Sequence, residues 1–357
     1  MISLNLKANK EYKNWHLCFY VLCIVIGLAG SFLIFNLMSK GISSSPAVKV
    51  NSLKKKKLSS LSDAKIDPGW DKAGLDIYNE KLNELSNSKT TTQVINLVGE
   101  GEVTVSTIVN HNDKFWDRLD RPNPAWEPET FRIFKKYVSQ ETIVVDFGTW
   151  IGPTLLYHGQ FSKRSYGIEA DPSAFAVAKF NVDQNRHRKW GGNVFLESAC
   201  VSAPYDVGKM IMKSQRPGNS MSGIGEKIAT GIQNSWEVKC YTLPNILERW
   251  GVVLSEQPVM FKIDVESYEC RLIPSFYEWL KDQPFLPTIF VSFHPQIVDC
   301  SDSEWTKILK VFKLYREVNA GSGTKKLSIE SQTTLKDFRK MQTDLNWKRI
   351  SEVVLVG

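Results

Sequence analysis

Four ionisable side chains stand where the sequence predicts that β-strands end. They are Asp146, Glu169, Asp264 and His294, and they follow runs of β-branched or aromatic residues typical of buried strands. The predicted strands are Ile143–Val145, Ser165–Ile168, Val259–Ile263 and Thr288–Phe293. In open α/β sheets, ligands bind at the carboxyl ends of the strands. We therefore expect these four side chains to surround one ligand site.

The segment from Thr142 to Pro172 reads as strand, glycine turn, helix and strand. Gly148 and Gly152 bracket the turn, and Glu169 stands 23 positions after Asp146. Glycines allow backbone N–H groups to approach a ligand, and the carboxylate can accept hydrogen bonds from ribose hydroxyls, so a nucleoside suits this unit. The G-x-G-x-x-G spacing of dinucleotide sites is absent, which disfavours an oxidoreductase that uses a nicotinamide cofactor.

A second segment, Phe261–Cys270, places Asp264 at the strand end and Glu266 two residues later. Glu266 there suits the dipole of a helix start, which is its alternative role. His294 can accept a proton near neutral pH, because an unperturbed imidazole has a pKa of about 6.5. Its alternative role is that of a cap before Pro295. Asp264, Glu266 and His294 could together hold a metal, but nothing in their spacing requires one, and we expect none.

The two segments, VVDFGTWIG and FKIDVESYE, resemble the FkbM-type methyltransferases, whose pattern is D-x-G-A-N-x-G and later K-x-D-V-E-G-x-E. The resemblance covers residues 125–357. It implies a Rossmann-like (class I methyltransferase) α/β fold with a doubly wound, mostly parallel sheet. It also implies S-adenosylmethionine as the cofactor, bound by Asp146, Gly148, Gly152 and Glu169.

The same resemblance implies O-methylation of a hydroxyl, and we expect a sugar or glycan as the acceptor. Methyl transfer to a hydroxyl depends on positioning and often on a base that removes the proton. The expected catalytic residues are His294 as the base, with Asp264 and Glu266 beside it.

The sequence departs from the family pattern at Thr149, Trp150, Pro244 and Ser267. Trp150 would place a bulky ring beside the pocket for the methionine end of the cofactor. Trp150 and Ser267 motivate an alternative function, a membrane-tethered binding module with a methyltransferase-like fold and no activity.

The N-terminal segments predict attachment to a membrane. Residues 1–14 form a basic tail, and residues 15–38 contain no formal charge, a length that spans a bilayer. Residues 39–67 read as a flexible basic stem, and residues 68–124 as an N-terminal extension with a hairpin before the catalytic domain. We expect a single-pass protein of the Golgi or endoplasmic reticulum. Lysines flank both sides of the span, so the positive-inside rule fixes no orientation.

The net charge of +7 lies entirely in residues 1–67, which hold ten lysines and three acidic residues. The remaining residues hold 35 basic and 35 acidic side chains. A neutral domain disfavours nucleic acid as a partner. Outside the predicted span, the cysteines are Cys200, Cys240, Cys270 and Cys300. They contain no C-x-x-C pair, which disfavours zinc, and they could form two disulfides in a lumenal domain.

Overall fold

A large mixed sheet with helices on its faces forms the centre of the computed structural model. The structure describes residues 69–87, 92–108, 114–220, 222–224, 234–266, 268–297, 299–348 and 351–357. All of them belong to one compact unit, residues 66–357, so the predicted extension and the predicted catalytic domain share it. The predicted tail, membrane span and stem lie outside the described residues. Within the part that is described, every helix is too short or too polar to cross a bilayer.

The strands and helices of the described residues are numbered in chain order. The strands are β1 (Thr92–Leu97), β2 (Gly101–Ser106), β3 (Ile143–Phe147), β4 (Arg164–Glu169), β5 (Val194–Ser198), β6 (Cys200–Val201), β7 (Gly208–Ser214), β8 (Gly223–Ile224), β9 (Asn234–Tyr241), β10 (Val259–Ile263), β11 (Thr288–Ser292), β12 (Glu317–Ala320), β13 (Lys325–Leu327) and β14 (Glu352–Val356). The helices are α1 (Lys72–Asn87), α2 (Pro128–Tyr137), α3 (Pro153–Gly159), α4 (Pro172–Gln184), α5 (Leu243–Trp250), α6 (Glu269–Ser275), α7 (Tyr277–Leu280), α8 (Asp302–Phe312), α9 (Gly321–Thr324) and α10 (Leu335–Asp344).

The large sheet has the strand order β13-β12-β14-β11-β10-β3-β4-β5. The strands from β11 to β5 run parallel, whereas β14 is antiparallel to both β11 and β12. Every residue of β3 and β10 is buried, as expected for strands covered on both faces. The chain leaves β3 toward one edge and β10 toward the other, so the topological switch point lies between them. This mostly parallel sheet fits the predicted Rossmann-like fold.

The predicted hairpin is confirmed as β1 and β2, which pair antiparallel. Two asparagines of the α4 region attach it to the rest of the unit. Asn181 accepts a hydrogen bond from Ser106 N at 2.6 Å, and Asn185 exchanges two bonds with the backbone of Thr104. Asn181 also donates to the carbonyl of Ile151 in the glycine turn, so the hairpin braces the loop after β3.

Two disulfides join elements that surround the carboxyl ends of the strands. Cys200 and Cys240 link the neighbouring strands β6 and β9, and Cys270 and Cys300 link α6 to the residue before the cap of α8. All four cysteines of the described residues are therefore paired. The structure thus contains the two disulfides that the sequence allowed for these four cysteines.

A buried ion pair connects the two central strands. Asp146 on β3 and Lys262 on β10 are register partners, and Lys262 Nζ lies 3.1 Å from Asp146 Oδ1. Burial alone would raise the pKa of Asp146 and lower that of Lys262. For Asp146, the attraction of Lys262 together with His158 and Thr154 outweighs burial, so its pKa is lowered. For Lys262, Asp146, Asp264 and Glu127 together outweigh burial, so its pKa is raised. Both groups are therefore charged at neutral pH.

Lys262→Met should lower the free energy of unfolding by about 3–5 kcal/mol, because it leaves the carboxylate of Asp146 buried without its cation. Urea unfolding of the full chain, followed by tryptophan fluorescence, measures the change. Lys209→Met, which removes a surface partner of Glu237, is the matched control and should leave the midpoint unchanged. Adding Asp146→Asn to Lys262→Met should recover part of the loss. No recovery would show that the buried charge is not the cause.

Candidate functional site

A cavity of about 140 Å³ opens at the carboxyl ends of the parallel strands, beside the switch point. Its lining includes five of the predicted site residues, which are Gly148, Glu169, Asp264, Glu266 and His294. The other two, Asp146 and Gly152, lie outside the lining. Residues that are far apart along the chain thus meet at one site.

Asp146 acts on the cavity through Lys262 and not by direct contact. Its side chain is fully buried, with Oδ2 accepting a hydrogen bond from Thr154 Oγ1 at 2.6 Å. Lys262, which does line the cavity, donates to the carbonyl of Gly148 at 2.9 Å. The carboxylate therefore fixes the lysine, and the lysine fixes the glycine turn.

Gly148 must be a glycine for two reasons. Its φ of 79° is left-handed, and a Cβ there would lie 1.9 Å from the carbonyl oxygen of Asp264. The loops after β3 and β10 therefore pass in direct backbone contact. Gly152, also left-handed with φ 90°, is the N-cap of α3.

Glu169 lines the cavity with its carboxyl group anchored by backbone donors. Oε2 accepts from Trp150 N at 2.7 Å, and Oε1 accepts from Asp171 N at 2.8 Å. Burial, together with the nearby Asp171, raises the pKa of Glu169 to about 8. In the ionised form each oxygen keeps a further lone pair, so the group can accept hydrogen bonds from a ligand as well as from the backbone.

Trp150 does not simply project into the cavity. Its ring packs edge-on against Phe115, with 4.8 Å between the ring centres, and also contacts Trp126. Its indole Nε1 donates to the carbonyl of Gly218 at 2.8 Å. The ring therefore supports the loop after β7, residues 215–220 and 222, which covers one side of the cavity.

Asp171 holds the same loop from its other side. Its Oδ2 accepts hydrogen bonds from Gly218 N at 2.8 Å and from Ser222 Oγ at 2.6 Å, while Oδ1 caps helix α4. Burial raises its pKa. The sequence does not reveal this role of Asp171, because Asp171-Pro172 carries the signal of a helix N-cap and nothing in it indicates a contact with a loop 47 positions away.

The opposite wall of the cavity is acidic and surrounds His294. Its Nε2 lies 3.4 Å from Asp264 Oδ1 and 3.8 Å from Glu266 Oε1, and its Nδ1 lies 3.4 Å from Glu269 Oε1. Burial disfavours the imidazolium, but the three carboxylates outweigh it and raise the pKa of His294 to about 10. The pKa of about 6.5 on which its predicted role as a base depends does not apply here, and the imidazole is protonated at neutral pH.

Glu127 also contributes to the acidic lining, a role that the sequence does not reveal because Pro128 marks only a helix start. It caps α2 in a left-handed conformation, with φ 43°, and it lines the cavity. Burial and the neighbouring Asp264 raise its pKa to about 7. Glu266 is also left-handed, with φ 46°, and burial raises its pKa to about 8.

Left-handed backbone in residues other than glycine is concentrated at this cavity. The described residues contain five such positions, and Glu127, Trp150 and Glu266 line the cavity. This conformation costs about 1–3 kcal/mol at each residue, and it persists where the surroundings enforce it, often at functional sites. The concentration supports the cavity as the functional site. The predicted departure at Ser267 lies outside the described residues.

Among known proteins, solved structures of low similarity match this chain. The sequence matches no protein-family model, and a search of curated proteins gives no match. The FkbM methyltransferase of Methylobacillus flagellatus KT is similar over 43% of this chain and 33% of its own, at 12% identity and a TM-score of 0.28. Geranyl diphosphate C-methyltransferase of Streptomyces coelicolor A3(2), solved with Mg²⁺, geranyl diphosphate and S-adenosyl-L-homocysteine, is similar over 80% of this chain and 97% of its own, at 10% identity and a TM-score of 0.32.

The chain thus spans a third of the length of the FkbM structure. Similarity at this level carries no weight for function. The fold is assigned from the strand order and switch point of this chain itself, and membership of the FkbM-type family stays a prediction.

Trp150→Phe should loosen the loop after β7, because it keeps the aromatic packing and removes the donor to Gly218. Loss of one hydrogen bond of about 1 kcal/mol should raise amide exchange in residues 215–220 about fivefold. Hydrogen exchange with mass spectrometry measures this. Trp279→Phe, a partly buried indole away from the loop, is the control. Unchanged exchange in Trp150→Phe would show that the loop is held by Asp171 alone.

Proposed function

We propose that this protein is a membrane-anchored methyltransferase that uses S-adenosylmethionine to methylate a hydroxyl of a sugar or glycan. The observation that carries the proposal is one cavity at the switch point with two different walls. One wall holds Glu169 and the Gly148 turn, and the other holds Asp264, Glu266 and His294. A methyl donor and an acceptor need such adjacent subsites, because methyl transfer depends on holding the reacting atoms in line.

The first wall fits a nucleoside with an attached amino acid. Glu169 offers lone pairs to ribose hydroxyls, and Ala199, Val201 and Met212 give an apolar surface for a base. The turn at Gly148 lies against the backbone of Asp264 and lines the cavity, where the methionine end would bind. When bound, the cofactor supplies an activated methyl group on its sulfonium.

The second wall would position the acceptor. Asp264 and Glu266 can accept hydrogen bonds from acceptor hydroxyls, and protonated His294 can donate one. Removal of the hydroxyl proton needs a base whose pKa lies near the operating pH. The sequence predicts His294 as this base, but its pKa of about 10 leaves it protonated at neutral pH, so Glu127, with a pKa of about 7, is the rival that the structure adds.

Binding of the cofactor is the direct test of the proposal. The full chain should bind S-adenosylhomocysteine in calorimetry, and Glu169→Gln should weaken binding at least about tenfold, because an amide cannot accept both backbone N–H bonds and the ribose. Glu197→Gln, on the neighbouring strand β5 and paired with Arg249, is the matched control. A folded chain that binds neither S-adenosylmethionine nor its demethylated product would refute the cofactor assignment.

Turnover of His294→Ala tests the catalytic wall. With labelled S-adenosylmethionine and a glycan extract, we expect a loss of about 10²–10⁴-fold in rate with cofactor affinity retained. His187→Ala changes an exposed histidine and should behave as wild type. Full activity in His294→Ala, together with loss in Glu127→Gln, would move the role of the base to Glu127.

The alternative function is that of an inactive, membrane-tethered binding module. Trp150 was one reason to consider this alternative. Its ring packs against Phe115 and supports the wall of the cavity, so it no longer argues for loss of activity. A chain that binds cofactor and never transfers the label in a single-turnover assay would establish this alternative.

The disulfides support a domain that faces the lumen of the secretory pathway, because such bonds persist in oxidising compartments. In sealed microsomes, we expect the domain to resist added protease and to be digested after detergent opens the vesicles. A tag at residue 1 serves as the control for the opposite face. Digestion of the domain without detergent would place it in the cytosol and would favour other acceptors.

A further inference from the structure

Asp264, Glu269 and His294 form a compact cluster in the acidic wall. Each offers one ligand atom, and these atoms lie within 4.8 Å of one another. The three residues come from the end of β10, the start of α6 and the loop after β11, so the fold brings them together from separate elements. The side chain of Glu269 is only 1% exposed, and that of His294 is 14% exposed.

Two atoms of this cluster are buried without a hydrogen-bond partner. They are Asp264 Oδ1 and His294 Nδ1. The separations of 3.4 Å from His294 to Asp264 and to Glu269 exceed the 2.7–3.2 Å of an ordinary N–H···O bond. Buried polar atoms in proteins are almost always partnered, and a bound ion would satisfy two unpartnered atoms of this ligand type.

The dimensions of the cluster suit a single cation. Nitrogen and oxygen ligands lie about 2.0–2.6 Å from a divalent ion, so two ligands of one ion are about 3–5 Å apart. The observed separations of 3.4 Å, and the limit of 4.8 Å for the set, fall in this range. Glu266 Oε1, at 3.8 Å from His294 Nε2, is within reach as a further ligand.

Lys262 leaves this position open. Its Nζ lies 3.4 Å from Asp264 Oδ2, whereas Oδ1 of the same carboxylate faces His294. The lysine also contacts Asp146 and the carbonyl of Gly148, so its charge is directed to the other wall. Among the described residues, Glu266 and Glu269 form ion pairs only with the imidazolium of His294, and a metal ion bound there would displace its proton.

We propose that Asp264, Glu269 and His294 bind a divalent cation of the Mn²⁺ or Mg²⁺ type beside the acceptor wall. Carboxylates with one imidazole suit Mn²⁺, and the cluster lacks the thiolates of a structural zinc site. The spacing of 25 positions between Glu269 and His294 explains why the sequence led us to expect no metal. Binding of the ion does not require methyl transfer. Only its use, to hold an acceptor hydroxyl, rests on the proposed function.

Titration of the full chain with Mn²⁺, with free ion followed by electron paramagnetic resonance, tests the site without cofactor. We expect one ion to bind and to raise the Tm, because it binds the native state. Asp264→Asn should weaken binding by at least about 100-fold, since loss of even an outer-shell partner costs up to that amount. Asp282→Asn, an exposed aspartate elsewhere, is the matched control and should bind as wild type.

Pulsed resonance of the wild-type complex gives a readout that does not depend on the folding of variants. A coupling between Mn²⁺ and an imidazole nitrogen is expected, and it should vanish in His294→Gln. No binding of Mn²⁺ at millimolar concentration, or binding without the nitrogen coupling, would overturn the proposal. Either result would leave the binding of S-adenosylhomocysteine, measured separately, unaffected.

Discussion

The ion pair between Asp146 and Lys262 is the interaction on which the rest of the site depends. A single charged lysine in the centre of a parallel sheet is tolerated only because its ammonium reaches the carboxylates of two neighbouring strand ends and a backbone carbonyl. That carbonyl belongs to Gly148, so the same cation that neutralises the core also sets the turn beside the cavity. The same lysine therefore balances the charge inside the sheet and fixes the backbone that shapes the cavity.

The cavity walls show how buried hydrogen bonds enforce unfavourable backbone. Trp150 is left-handed, yet its N–H is held by Glu169 and its indole by the carbonyl of Gly218. Asp171 then holds the N–H of the same glycine. A chain of charged or aromatic groups thus runs from strand β4 through the turn to the covering loop. Each of these hydrogen bonds satisfies a buried polar group. Removal of one partner leaves the other buried and unpaired, at a free-energy cost similar to that of a lost hydrogen bond.

The sequence predicted the central strands well, because β3 and β10 are short, apolar and buried on both faces, and strands of this kind read as continuous hydrophobic runs. It also placed Gly148, Glu169, Asp264, Glu266 and His294 at one site, since strand ends of a parallel sheet meet. It could not show that Asp146 lies beneath the cavity, because the direction of a side chain at a strand end depends on the partner strand. Asp171, Glu127 and Glu269 were missed for a related reason, as their local signals are those of helix starts and their functional contacts are distant in sequence.

The amino-acid composition does not reveal that one wall of the cavity is acidic, because the net charge averages over the whole domain. Residues 68–357 are neutral overall, yet Asp264, Glu266 and Glu269 converge around one imidazole, and Glu127 lies near Asp264. Crowded carboxylates in a buried wall must take up protons or bind cations, and the raised pKa values of Glu127 and Glu266 show the first response. Lys262 joins this wall to the glycine turn through Asp264 and Asp146. The backbone of Gly148 also lies against the carbonyl of Asp264, so the two walls are joined by direct backbone contact as well as by Lys262.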